Sequence, residues 1–242
     1  MSTRKVLFLN ASHPILEARL QALGFQCDHD YDSPKEAVAQ RIGEYEGLVI
    51  RSRFSLDADF LAKAKRLKFI AREGVGIEHI DTDWAEAHGI RVLTSPEGSR
   101  DTVGEHALGL LLALMNNLAR ADRQVRQGQW IREGNRGVEI KGKTVGILGY
   151  GNMGRAFAQR LLGFECDVIA YDKYRVLYGD YFARAVSLEA LFEQADILSI
   201  HIPYSRDNHH FIDDAFLSRF RKPIFLVNTA RGGVLDTAAL VR

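Results

Sequence analysis

Two kinds of hydrophobic pattern alternate along the chain. Short continuous runs, KVLFLN (5–10), GLVIRS (47–52), LKFIAR (67–72) and IRVLTS (90–95), are apolar and β-rich and predict strands. Between them, PILEARLQALG (14–24), PKEAVAQRIG (34–43), DADFLAKAK (57–65) and DTDWAEAHG (81–89) carry apolar residues at helical spacing. Asp or Pro stands at the front of each and Gly closes most of them, as helix caps require. Continuous apolar strands separated by helices predict a parallel sheet covered on both faces.

A second series begins at Lys143. Strands are predicted at TVGILG (144–149), DVIAYD (167–172), ARAV (183–186), DILSIH (196–201) and PIFLVN (223–228). Helices fit 152–162, 187–194, 213–219 and a last one starting at Asp236. The stretch between the two series has Val103, Ala107, Leu111, Leu114, Leu118 and Val125 on one helical face and Leu108, Leu112 and Met115 on another. That predicts one helix over 100–127, apolar on two sides and therefore buried on two sides, between domains or between subunits. The expected fold class is α/β, with two doubly wound parallel-sheet domains at 1–97 and 98–242.

Composition narrows the partners. Of the 242 residues 46% are hydrophobic, enough for a sizeable core, and 32 Lys and Arg nearly balance 31 Asp and Glu. So even a balance offers no field for nucleic acid or an anionic membrane. No stretch approaches the roughly 20 apolar residues that span a bilayer, and MSTRKVLFLN reads as a first strand rather than a signal peptide. The two cysteines, Cys27 and Cys166, form no disulfide framework and read as buried thiols in a reducing cytoplasm. No His/Cys cluster has metal-ligand spacing, so no metal is expected.

The chemistry begins at Gly149-Tyr-Gly151-Asn152-Met153-Gly154. Such a turn is a weak signal alone, and a glycine turn with a capping Asp would explain it. Here it follows a predicted strand and opens a predicted helix. That helix leads to a second strand ending in Asp172, 18 residues past the last glycine, which is the layout of a dinucleotide fold. Gly149 permits the tight turn, Gly151 lets the backbone approach a pyrophosphate, and Gly154 packs helix against strand. The helix N-terminus offers free N–H groups to the phosphates. Asp172 can accept from ribose hydroxyls and its charge repels a 2′-phosphate, so NAD is expected over NADP, with Lys173 softening the preference. Arg231 follows PIFLVN, beyond the carboxyl end of a strand, where open parallel sheets bind ligands. A guanidinium there can hold a carboxylate by two parallel hydrogen bonds; an ordinary surface arginine in a turn is the other reading.

At these segments the sequence resembles the NAD-dependent D-2-hydroxyacid dehydrogenases, the family of D-3-phosphoglycerate and erythronate-4-phosphate dehydrogenases. GKTVGILGYGNMGRAFAQRL, LSIHIPYSRDNHHFID and FLVNTARGGVLDTAAL resemble its signature segments in order. LVIRSRFSLDADFLAKAKRLKFIAREGVGIEHID resembles its substrate-domain pattern. The resemblance implies a flavodoxin-like substrate domain and a Rossmann nucleotide domain. It implies hydride transfer between NAD and C2 of a small anionic 2-hydroxy or 2-oxo acid, with Arg231 as the catalytic arginine. Asn152 and Met153 match the pyrophosphate turn, Asp172 the ribose acceptor, and Ile202 and Thr229 the lining of the cofactor cleft. Gly74, Val75 and Gly76 match the loop whose N–H groups meet the substrate carboxylate. Arg51 and Arg53 fall where some members grip a phosphate, although Arg51 also reads as a strand-end surface charge. A homodimer through the helix 100–127 is implied as well.

The family's acid/base is a histidine oriented by a carboxylate, both downstream of the arginine. None of the eight histidines matches it before Arg242. The sequence therefore reads as an incomplete chain, lacking the last strands of the nucleotide domain and the C-terminal return helix, and little turnover is expected. PIFLVN is expected at an apolar sheet edge. His79 is a conceivable substitute acid, with a loop-capping role as the plainer reading, and His209 and His210 are expected to point apart in solvent. From a different class, a non-catalytic NAD(H)-binding interaction module remains an alternative.

Overall fold

The computed structural model describes residues 3–242. The chain divides into two compact units, residues 1–99 and 100–242.

The first unit is built on β1 (Arg4–Phe8), β2 (Phe25–His29), β3 (Gly47–Ile50), β4 (Phe69–Arg72) and β5 (Arg91–Thr94). All its pairings are parallel, in the order β2-β1-β3-β4-β5. This is the flavodoxin-like strand order. Side-chain alternation covers both faces. Val6 and Phe8 pack with Leu20, Phe25 and Val49 on one side, and Leu7 and Leu9 pack with Val38, Ile42, Leu48 and Phe60 on the other. The helices are α1 (Pro14–Ala22), α2 (Lys35–Arg41), α3 (Ala58–Leu61) and α4 (Thr82–Ala87). Asp57 and Asp81 cap α3 and α4 by accepting from the Phe60 and Trp84 N–H groups at 3.0 Å. At the amino-terminal edge of the sheet, the buried Glu46 carboxylate is ringed by Arg4, Arg66 and Lys68. The Lys68 hydrogen bond holds its carboxyl below the usual range.

The second unit contains β6 (Thr144–Leu148), β7 (Asp167–Tyr171), β8 (Arg184–Ala185), β9 (Ile197–Ile200) and β10 (Phe225–Asn228). They form a parallel sheet in the order β10-β9-β6-β7-β8, with the order reversing beside β6. Among the described residues β10 has β9 as its one strand neighbour. Val145 and Ile147 face Phe157 and Leu161, while Leu148, Leu198 and Ile200 face Leu191 and Phe216. The helices after the linking segment are α7 (Asn152–Arg160), α8 (Leu188–Gln194), α9 (Asp214–Leu217) and α10 (Thr237–Val241).

Three expectations change. The helix over 100–127 is two helices, α5 (Glu97–Met115) and α6 (Leu118–Arg126), broken where Asn117 takes a left-handed φ of 54°. The first expected face is split: Ala107 and Leu111 are buried in the second unit's own core together with Met115 of the other face, whereas Leu114, Leu118 and Val125 are exposed, as is Leu110. Strand β2 was not predicted, because FQCDH is a polar edge strand with no apolar run. Cys27 lies inside it, and both cysteines are only half-buried free thiols, each pushed upward in pKa by burial. No helix among the described residues is long and apolar enough to cross a membrane.

Candidate active site

The glycine turn leaves β6 at Leu148 and enters α7 at Asn152. Gly149 has φ +93°, and a Cβ there would stand 2.9 Å from the His201 carbonyl carbon and from Ile202 Cγ2. A side chain is excluded both by conformation and by space. At Gly154, in the first turn of α7, a Cβ would collide with the Gly149 carbonyl oxygen and come within 3.0 Å of Ile147 Cγ2. Gly151, the N-cap, instead looks onto open space. No side chain caps the N-terminus of this nine-residue helix. Asn152 and Met153 therefore open a helix whose first N–H groups are left for an anion.

Asp172 follows β7. Its Oδ2 accepts from the Tyr150 N–H at 2.8 Å, and its Oδ1 accepts from the N–H groups of Tyr174 and Arg175 at 3.0 and 3.1 Å. The carboxylate is thus held in place and keeps acceptor capacity for a hydroxyl. Beside it is a cavity of about 120 Å³ lined by Leu148, Gly149, Tyr171, Ile202, Pro203 and Phe211 as well as Asp172 itself. Mostly apolar walls with one fixed carboxylate suit an adenosine. The open side of Gly151, the uncapped helix and this cavity together fit a dinucleotide.

His201 also lines the cavity. One ring nitrogen meets Ser199 Oγ at 2.8 Å and the other Thr229 Oγ1 at 3.2 Å. Burial drives its pKa down to about 4, so the imidazole is neutral at neutral pH. Thr229 thereby links the end of β10 to the end of β9.

Arg231 stands in the loop after β10, exposed and extended (φ −141°, ψ 147°). Asn228 shapes this loop: its Oδ1 accepts from the Ala230 N–H at 2.9 Å and its Nδ2 donates to the Arg231 carbonyl at 3.1 Å. Beyond it the Gly232–Val234 turn is tied to the 210–212 segment through His210 N–H to Gly233 O and Ile212 N–H to Val234 O. Asn228, Tyr150 and Asp180 stand outside the expected site residues. For Asn228 the signal was available, since Asn followed two residues later by a backbone donor is an Asx turn.

In the first unit, Gly74 has φ +134° and its N–H donates to Ser95 Oγ at 3.1 Å. The N–H groups of Val75 and Gly76 have no protein acceptor among the described residues. Arg51 and Arg53, two residues apart, have different surroundings. Arg51 is exposed and pairs with Glu73 at 3.2 Å. Arg53 is turned inward: it donates to the carbonyls of Leu9, Asp30 and Ser33 and pairs with the buried Asp30. Burial pushes the Asp30 carboxyl up, but the Ser33 bonds and Arg41 outweigh it and hold it low. His79 is half-buried, and its Nε2 is buried without a partner. Burial and the nearby Arg72 lower its pKa. His209 and His210 do not point apart: their rings stack at 4.0 Å, because a φ of 49° at His210 folds its side chain back beside its neighbour. Among the described residues no group of three His, Cys, Asp or Glu could hold a metal ion.

A parallel sheet with its glycine turn at the switch point and a fixed carboxylate one strand away defines a dinucleotide-binding α/β protein. Residues 108–242 match the family described as "D-isomer specific 2-hydroxyacid dehydrogenase, NAD binding domain". The chain is 37% identical over 206 residues to a hydroxypyruvate reductase of Thermotoga maritima, covering 85% of this chain and 67% of that protein. It is 37% identical over 223 residues to a D-3-phosphoglycerate dehydrogenase of Mycobacterium tuberculosis, covering 90% of this chain and 42% of that one. A D-lactate dehydrogenase from Aquifex aeolicus, solved with NAD and lactic acid, superposes with a TM-score of 0.81 at 27% identity, over 98% of this chain and 72% of that one. The chain belongs to the D-isomer specific 2-hydroxyacid dehydrogenase family, and its second unit carries that family's NAD-binding domain.

Proposed function

We propose that this protein moves a hydride between NAD(H) and C2 of a small 2-hydroxy or 2-oxo acid. The observation that carries the reading is Arg231, held by Asn228 at the carboxyl end of β10, in the same sheet as the glycine turn and with one strand between them. Its planar fork can hold a carboxylate and a carbonyl oxygen together. Within the first unit, the N–H groups of Val75 and Gly76, which have no protein acceptor among the described residues, would be able to donate to a carboxylate. Gly149, Gly151, Asn152, Met153 and Gly154 would hold the pyrophosphate, and Asp172 the adenosine ribose. Ile202 and Thr229 would line the cofactor. The bound nicotinamide supplies or receives the hydride. Arg231 stabilises the negative charge that gathers on the C2 oxygen during reduction.

Neither His201 nor His79 serves as the proton donor in this reading. His201 is neutral with both nitrogens engaged, and burial lowers the affinity of the His79 ring for a proton. A chain of these 242 residues is therefore proposed to hold cofactor and to turn over slowly. Arg51 is the arginine available to a phosphate-bearing acid such as 3-phosphoglycerate. With Arg53 engaged by loop carbonyls, a non-phosphorylated acid is favoured.

The test measures NADH oxidation with glyoxylate, hydroxypyruvate and phosphohydroxypyruvate, and binding of the unreactive dianion oxalate to the NADH-loaded chain. Arg231→Ala is expected to weaken oxalate by about 2 kcal/mol, roughly 30-fold, with NADH affinity within about twofold of wild type. Equal oxalate affinity in the two proteins would remove Arg231 from the substrate site. NADH binding with neither turnover nor oxalate binding would favour the interaction module.

A homodimer in the cytoplasm completes the proposal. The exposed Leu110, Leu114 and Leu118 along α5 and into α6 form the contact surface. Leu114→Asp is expected to shift sedimentation from dimer to monomer with the fold intact. Leu111→Asp is unsuitable for the purpose, because Leu111 is 0% exposed and its loss would damage the core. An unchanged sedimentation coefficient for Leu114→Asp would place any interface elsewhere.

A further inference from the structure

The glycine motif makes no demand on the residue between its first two glycines, yet here that residue is Tyr150, with 0% exposure. A buried phenol is costly unless its hydroxyl is satisfied. The Tyr150 hydroxyl donates to Asp180 Oδ1 at 2.7 Å. Asp180 lies in the segment between β7 and β8. Its other oxygen accepts from Arg155 Nε at 2.6 Å, in the first turn of α7, and its Oδ1 also takes the Phe182 N–H at 2.9 Å. The Arg155 guanidinium sits 4.8 Å over the Phe182 ring.

The backbone of Tyr150 is engaged as fully as its side chain. Its N–H donates to Asp172 Oδ2 and its carbonyl accepts from Arg175 Nη1 at 2.9 Å. A second phenol completes the set: Tyr178 Oη accepts the Asp172 N–H at 3.0 Å and stands 3.1 Å from the Ala170 carbonyl, to which it donates. Apart from Tyr178 and Phe182, which pack against the core, the segment held in this way is largely exposed. Val176, Leu177 and Tyr181 are almost fully exposed, and Leu177 has a φ of 57°.

We propose that Tyr150 and Asp180 are positioning residues that fasten the 173–182 segment to the glycine turn, and so fix Asp172 and the adenosine end of the cofactor. The proposal rests on the NAD-binding reading of the turn. It separates the cofactor into halves: the adenosine half depends on the Tyr150–Asp180–Arg155 link, and the nicotinamide half does not. It also makes cofactor choice depend on residues that touch no phosphate, because Asp172 discriminates against a 2′-phosphate only while its carboxylate is held in place.

The experiment compares Tyr150→Phe, which keeps the buried ring, and Asp180→Ala, which leaves the core side chains unchanged. Binding of NADH, NADPH, ADP-ribose and reduced nicotinamide mononucleotide is measured on the whole chain. In both variants NADH and ADP-ribose are expected to weaken about tenfold, the mononucleotide to stay within about twofold, and the preference for NADH over NADPH to narrow. If Tyr150→Phe does not fold, Asp180→Ala decides alone. Unchanged NADH affinity would overturn the proposal, as would equal weakening of the mononucleotide, which would mean a general loss of structure. A wild-type chain that binds no NADH would instead sink the underlying reading, and this one with it.

Discussion

Gly154→Ala is expected to lower the stability of the second unit by about 3 kcal/mol and to weaken NADH roughly 100-fold. The added methyl has nowhere to go, because the Gly149 carbonyl oxygen and Ile147 Cγ2 occupy its place. Relief requires α7 to lift from β6, which moves the helix N-terminus away from the phosphates and strips packing from Phe157 and Leu161. Gly109→Ala is the matched control. It lies on the exposed side of α5, where a Cβ meets nothing within 4 Å. There the substitution should stabilise by roughly 0.5–1 kcal/mol through helix propensity. Denaturant unfolding and NADH titration of both variants check the pair. Equal stability of the two would show that α7 does not need its close approach.

Acidification is expected to weaken the fold well before the carboxylates titrate. His201 is neutral in the folded chain with a pKa of about 4, against 6.5 for the ordinary side chain. Above pH 6.5 neither state takes the proton and stability is complete. Between pH 6.5 and about 4 the unfolded chain binds a proton that the folded chain refuses, so stability falls with pH. At about 1.4 kcal/mol per pH unit the loss reaches about 3 kcal/mol by pH 4. His79, also lowered, acts in the same direction, so the measured quantity is the difference between wild type and His201→Gln. The variant should lose most of the slope between pH 6.5 and 4. Parallel curves for the two proteins would show that His201 does not resist protonation.

The sequence showed most of the fold because its strands are buried on both faces and stand out as apolar runs. Where burial is one-sided or the chain is polar, the signal fades. β2 escaped notice because only Phe25 of its five residues is fully buried. The break at Asn117 is invisible to periodicity, since a single left-handed residue leaves the spacing of leucines intact. In the candidate site the placement of the glycines and of Asp172 was legible because it is set by local backbone geometry. The different surroundings of Arg51 and Arg53 were not, because they depend on carbonyls some 20 and 44 residues away that bind one guanidinium and leave the other exposed. Tyr150 and Asp180 are joined across 30 residues, and no spacing rule announces such a pair.

The strand order has a consequence for how the protein reaches this state. β6 pairs with β9, and the junction is closed by the Thr144 N–H donating to Asp196 Oδ2 across 52 residues of chain. Closing so long a loop comes before most of the contacts that reward it, which makes folding of the second unit slow. The glycine turn lies at the opposite, carboxyl-terminal end of this strand pair, with Gly149 packed against the His201 backbone. It exists as a binding site only after closure. Cofactor added during refolding should therefore leave the rate of closure unchanged and act afterwards, slowing unfolding: a latch on the finished sheet rather than a template for it.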